Sequence, residues 1–98
     1  MSMLHIVNKS PYERDSLVTC SGYYKDGDTL LLTEDGVYAA IAAGKAAAQL
    51  QGLKVVALAP DVTARGIAED KLISGIQLVD YAGFVDLVTQ TDRVQSWV

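Results

Sequence analysis

Thr29-Leu30-Leu31-Leu32-Thr33 stands between two polar turn clusters, Lys25-Asp26-Gly27-Asp28 before it and Glu34-Asp35-Gly36 after it. A short apolar run bounded in this way reads as a β-strand covered on both faces, the condition of a strand inside a parallel sheet. Working back towards the N-terminus, Met3-Leu4-His5-Ile6-Val7 is a second β-favouring run. Between the two, Ser10 is a good N-cap, Pro11 fits the first helical position and Glu13 completes an S-x-x-E capping box. The spacing predicts a helix from there to about Gly22. Downstream, the Ala-rich stretch from Val37 to Gln51 has high helix propensity despite Gly44, and Gly52 offers a stop. Lys54 to Ala59 reads as a third strand, broken by Pro60-Asp61, with one or two helical turns over Asp61 to Gly66. Ile76 to Val79 reads as a fourth strand. Asp80 can cap a last helix from Tyr81 to about Thr89, with Phe84, Val85, Leu87 and Val88 as its apolar face. Ser96-Trp97-Val98 is expected as an edge strand or a docked tail. Strands alternating with helices imply right-handed βαβ crossovers. The expectation is an α/β fold: one domain over 1–98, a three-layer sandwich around a mainly parallel sheet of four to five strands.

Ninety-eight residues with half of them apolar can bury a core without staples. Mean hydropathy is +0.20, which fits either a dense sheet or apolar surface reserved for a partner. Only eight Lys and Arg residues, scattered along a chain of net charge −4, argue against direct nucleic-acid binding. The single cysteine precludes an internal disulfide and suits a reducing compartment. The opening MSMLHIVNKS lacks the basic and long apolar regions of a secretory signal, and no apolar run approaches the roughly 20 residues of a membrane-spanning helix. A cytoplasmic address without membrane attachment is expected.

Cys20 leads the chemical candidates, because a thiolate or persulfide exchanges at sulfur as a serine hydroxyl cannot. It is flanked by Thr19, Ser21 and Gly22 near the expected end of the first helix. That neighbourhood is polar, but the helix's C-terminal pole is partly negative and disfavours a thiolate. The competing reading makes Cys20 a small buried hydrophobe. His5, the sole histidine, has no Cys, Asp or Glu at ligand spacing, so no metal site is expected and a core histidine with one hydrogen bond is favoured. Glu34-Asp35-Gly36 lies at a strand's C-terminal end, where open α/β sheets bind ligands. Its two acids would repel phosphate, and no phosphate-binding fingerprint follows, so no nucleotide or flavin cofactor is expected and turn chemistry is preferred. In Asp61-Val62-Thr63-Ala64-Arg65-Gly66, Arg65 can pair with Asp61 across one turn and Gly66 can supply a left-handed stop. Tyr81, Phe84 and Trp97 read as core or interface packing.

Several blocks, in this order and spacing, resemble the DsrH/TusB family. They are Met3-Leu4-His5 with Asn8-Lys9-Ser10-Pro11, Leu30-Leu31-Leu32 with Glu34 to Ala40, and Ala57-Leu58 with Asp61 and Ala64-Arg65-Gly66. The block Val79 to Leu87 and the closing Gln95-Ser96-Trp97 complete the set. The resemblance spans essentially the whole chain. It implies a DsrE/DsrF/DsrH-like sandwich that assembles with DsrE/TusD-like and DsrF/TusC-like subunits into a heterohexamer with two copies of each. In that assembly sulfur would pass as a cysteine persulfide to a downstream acceptor protein, the principal reactive cysteine lying on the DsrE/TusD-like subunit. Cys20 matches the cysteine of the sulfur-oxidising DsrH branch, and with Asn8-Lys9-Ser10-Pro11 it points to that branch. The alternatives are a TusB-like subunit serving 2-thiolation of the tRNA wobble uridine, and a structural subunit shielding a partner's cysteine.

Overall fold

The computed structural model describes residues 2–97. Its sheet contains β1 (Met3–Val7), β2 (Thr29–Leu32), β3 (Val55–Leu58), β4 (Gln77–Val79) and β5 (Arg93–Trp97) in the order β4-β3-β2-β1-β5. All four pairings are parallel. β2 is the middle strand, and every one of its residues is buried, as its unbroken apolar run requires. The closing Ser96-Trp97 belongs to β5, which pairs with β1 from Met3↔Arg93 to Val7↔Trp97. Val98 lies outside the described residues.

Alternation along the strands divides the core in two. On one face Val7, Leu30, Leu32 and Ala57 pack beneath α1 (Ser16–Tyr23), two 3-10 segments (Glu34–Ala40 and Lys45–Leu50) and α2 (Ala59–Ala64). On the other, Leu4, Leu31 and Val56 pack with Ile6, Val79 and the Phe84 and Leu87 side chains of α3 (Tyr81–Gln90). Helical layers on both faces of one parallel sheet make this the expected three-layer α/β sandwich. Asp80 caps α3 as anticipated, its Oδ1 accepting the Gly83 amide at 2.8 Å.

Two expected helices differ from those observed. The Ser10 hydroxyl accepts the Tyr12 amide, and the Ser10 carbonyl accepts those of Glu13 and Arg14, so Ser10 organises a single turn. The helix itself begins only at Ser16, after Asp15. The Ala-rich stretch is two 3-10 segments rather than one helix. Ile41, between them, bridges Leu72, with Ala42 donating to the Lys71 carbonyl and Ile73 to that of Ala40. Gly44 lies so close to Tyr12 that an added Cβ would collide with the phenol hydroxyl. These tertiary contacts override the helix propensity of alanine, which amounts to only a few tenths of a kcal/mol per residue. Pro60, read as a strand breaker, sits in the first turn of α2, where its missing N–H costs nothing. Among the described residues no helix is long and apolar enough to cross a membrane.

Candidate functional site

Cys20 lies in the second turn of α1, whose buried residues are Ser16, Leu17 and Cys20, one inward face at helical spacing. The thiol is fully buried within the cluster that includes Leu17, Leu30, Leu32 and Val37. Burial, and secondarily the negative charge of Asp28, push its pKa from 9.0 up to about 11. At neutral pH the thiolate is therefore roughly one part in ten thousand. The polar setting suggested by Thr19, Ser21 and Gly22 belongs to the outward side of the helix, not to the face that carries sulfur.

Beside this cluster a buried polar chain joins the two ends of the molecule. His5, on β1, is wholly buried. Its Nε2 lies 2.8 Å from Asp28 Oδ2, and its Nδ1 lies 3.0 Å from Trp97 Nε1. An indole nitrogen can only donate, so Nδ1 accepts and the imidazole proton sits on Nε2, where it is given to the carboxylate. The expectation of a core histidine with one hydrogen bond thus becomes a histidine with two. Asp28 also accepts the Met3 amide on Oδ1 and the Lys25 amide on Oδ2, at 3.0 Å each. Burial alone would raise the Asp28 pKa, but the bond from His5, those from the two amides and the attraction of His5 outweigh it and hold it below 3.8. Tyr24 extends the network, giving its hydroxyl proton to the Asp28 carbonyl and accepting the Lys54 amide. Trp97 stacks on His5 at 6.0 Å and on Tyr23 at 5.3 Å. Asp28 was legible only as a turn residue, because nothing local marks a turn aspartate as the partner of a histidine two elements away.

The loops at the C-terminal ends of β2 and β3 are tied to each other. Arg65 Nε donates to Asp35 Oδ1 at 2.9 Å, while its Nη1 is 4.0 Å from Asp61 Oδ1. Asp61 Oδ2 accepts the Glu34 amide at 2.6 Å. The anticipated Asp61–Arg65 pair is therefore the looser of two, and Asp35 is the closer partner. Gly66 has φ 68 and supplies the left-handed stop. Between the ends of β2 and β3 the crest of the sheet is therefore occupied by the protein's own ion pairs. Of the aromatic residues, Phe84 packs in the core, Trp97 is partly buried, and Tyr81 is 60% exposed.

Relatives share this architecture. The profile of the family described as DsrH like protein matches residues 9–94. Protein TusB of Pectobacterium parmentieri is 37% identical over 97 residues, covering 97% of this chain and all of that one. Protein TusB of Enterobacter sp. (strain 638) is 39% identical over 99 residues, and that of Escherichia coli (strain K12) 34% over 97, with the same coverage. Among solved structures, the ychN protein from E. coli superposes with a TM-score of 0.77 at 20% identity, over 99% of this chain and 100% of that one. Protein Tm0979 from Thermotoga maritima follows at 0.67 and 24%, over 91% and 92%. The two solved structures are similar in fold; the sequence matches, which run almost from end to end, reach further and make this chain a member of the DsrH-like family.

Proposed function

We propose that the chain is a TusB-like subunit of a sulfur relay serving 2-thiolation of the tRNA wobble uridine, contributing packing surface rather than a sulfur-carrying thiol. Family membership supports the relay. The relatives named TusB favour the tRNA branch over the sulfur-oxidising DsrH branch to which Cys20 and the Asn8-Lys9-Ser10-Pro11 opening had pointed. The observation that carries the structural role is the burial of Cys20: a thiol with no exposed surface and a pKa of about 11 is neither reachable by a donor persulfide nor ionised to attack it. A relay subunit of this kind works by assembly. Its partners are TusD-like and TusC-like chains in a heterohexamer, with the reactive cysteine on the TusD-like chain and a downstream acceptor protein beyond it. Tyr81, Val85 and Val88 on α3, with Val94 on β5, leave apolar surface exposed that suits such an assembly.

The test is to co-express the chain with its TusC-like and TusD-like partners, load the complex with a sulfane-sulfur donor and weigh each subunit intact. Sulfur is expected on the TusD-like chain and absent from this one, and Cys20→Ala should leave both assembly and the 2-thiouridine content of tRNA at wild-type levels. An added sulfur atom on this chain that vanishes in Cys20→Ala would make Cys20 a carrier and overturn the structural role. Unchanged 2-thiouridine in cells lacking the chain would overturn the tRNA assignment.

A further inference from the structure

The chain Asp28–His5–Trp97 has a property that the relay reading does not use: it fits only one protonation state of the imidazole. Nε2 is committed as donor to a carboxylate that stays ionised well into acid, because its pKa is held low. Nδ1 is committed as acceptor to an indole N–H. A proton added to His5 can enter only at Nδ1. It would then set two N–H donors against each other at a 3.0 Å separation inside the protein, removing one hydrogen bond and leaving a buried charged donor without an acceptor. The Asp28 side would hold, since the carboxylate pairs with imidazolium at least as well as with imidazole. The Trp97 side is therefore the one that yields.

Trp97 is free to yield. It lies on β5, an edge strand that among the described residues pairs through its main chain with β1 alone. Its other aromatic contact, Tyr23, is 64% exposed. An open cavity of about 470 Å³, lined by Trp97 together with Met3, Tyr23, Lys25 and Arg93, gives the residue room to move on one side, while it packs against the core cluster on another. Among the described residues, the charged and titratable groups around His5 are few. Asp28 stands before β2, Tyr24 packs from the end of α1 at 5.7 Å, and Cys20 lies in α1 as a neutral thiol; Lys25 and Arg93 stand further out at the rim of the cavity. Apart from Asp28, which already has its bond, none of them is an anion poised to take a proton on Nδ1.

We propose that Asp28, His5 and Trp97 form a proton-operated latch on the outer edge of the sheet, closed while His5 is neutral and opened at Trp97 when His5 gains a proton. The consequence is a sheet edge at which Trp97 is docked while the imidazole is neutral and released when it is protonated, with the rest of the fold intact.

The experiment is a titration of the full chain from about pH 8 to about pH 5, the range in which histidine ordinarily changes charge. Three signals are followed: the His5 ring nitrogens, the indole Nε1–H of the protein's single tryptophan and far-ultraviolet circular dichroism. At pH 8 the ring should be the Nε2–H tautomer. On acidification the indole resonance should shift together with the His5 nitrogens in one proton step, while the dichroism stays constant. His5→Gln supplies an amide donor and acceptor that do not titrate, and should abolish the step. Four results overturn the latch: an Nδ1–H tautomer at pH 8, a His5 titration that leaves the indole unmoved, an indole shift that persists in His5→Gln, or an indole shift that coincides with loss of dichroism and so reports unfolding. The wild-type readings decide the matter alone should His5→Gln fail to fold.

Discussion

At the scale of single residues, what separates a reactive cysteine from a packing one is the free energy of its charge. Cys20 has its pKa raised from 9.0 to about 11, so the folded state resists ionisation that the unfolded chain accepts. Between those two values the unfolded state binds fewer protons than the native one, and stability falls as pH rises. The stabilisation is fully present below pH 9 and is lost on the way to pH 11. A two-unit shift amounts to about 3 kcal/mol at most, of which about 2 kcal/mol should be gone by about pH 10.5. Because tyrosines and lysines titrate in the same window, the quantity to measure is the difference between wild type and Cys20→Ala in urea unfolding. That difference should shrink by about 2 kcal/mol between pH 8 and about pH 10.5. An offset that stays constant would mean that the thiol is open to solvent, and would restore Cys20 as a candidate carrier. That the thiol is buried could not be read from Thr19, Ser21 and Gly22, since helical geometry sends i and i+1 neighbours to different faces.

At the scale of elements, local signals were reliable where backbone chemistry alone sets the boundary and unreliable where a distant contact does. Asp80 illustrates the first case: its carboxylate oxygen takes the Gly83 amide, and α3 begins where the sequence says it should. Asp80→Ala should therefore cost about 1 kcal/mol in urea unfolding, with Asp80→Asn recovering most of it. Equal losses for both variants would show that charge, rather than the cap bond, holds the helix start. β1, β2 and β3 were legible for the same kind of reason, since their apolar runs end at turn residues. The Ala-rich stretch was not. Its break depends on Ile41 meeting Leu72 and on Gly44 lying against Tyr12, both remote in sequence. Ser10 shows how a correct motif can mislead: its hydroxyl does bond to the backbone ahead of it, but it stabilises a turn six residues before the helix starts. β5 was legible only as a possible edge strand, because its four outer residues, Arg93 to Ser96, are exposed and carry no burial pattern.

At the scale of the whole molecule, the sheet joins partners of very different separation in sequence. The His5–Asp28 bond spans 23 residues, whereas the His5–Trp97 bond spans 92. Closing the longer loop costs about 1 kcal/mol more in chain entropy, and its reward is an edge strand with little burial, whereas all of β2 and three of the four residues of β3 are buried. The transition state for folding should accordingly contain the middle strands without β5. Two substitutions distinguish this order from its reverse. Val56→Ala, a truncation in the fully buried part of β3, should slow folding by about tenfold, as expected of a residue whose contacts are half or more formed at the barrier. Trp97→Phe removes the indole bond to His5 and should leave the folding rate within about twofold while speeding unfolding. Stopped-flow dichroism across a range of urea concentrations measures both arms for each variant. If Trp97→Phe slowed folding while Val56→Ala only hastened unfolding, the ends of the chain would have to meet first. β5 would then be part of the nucleus.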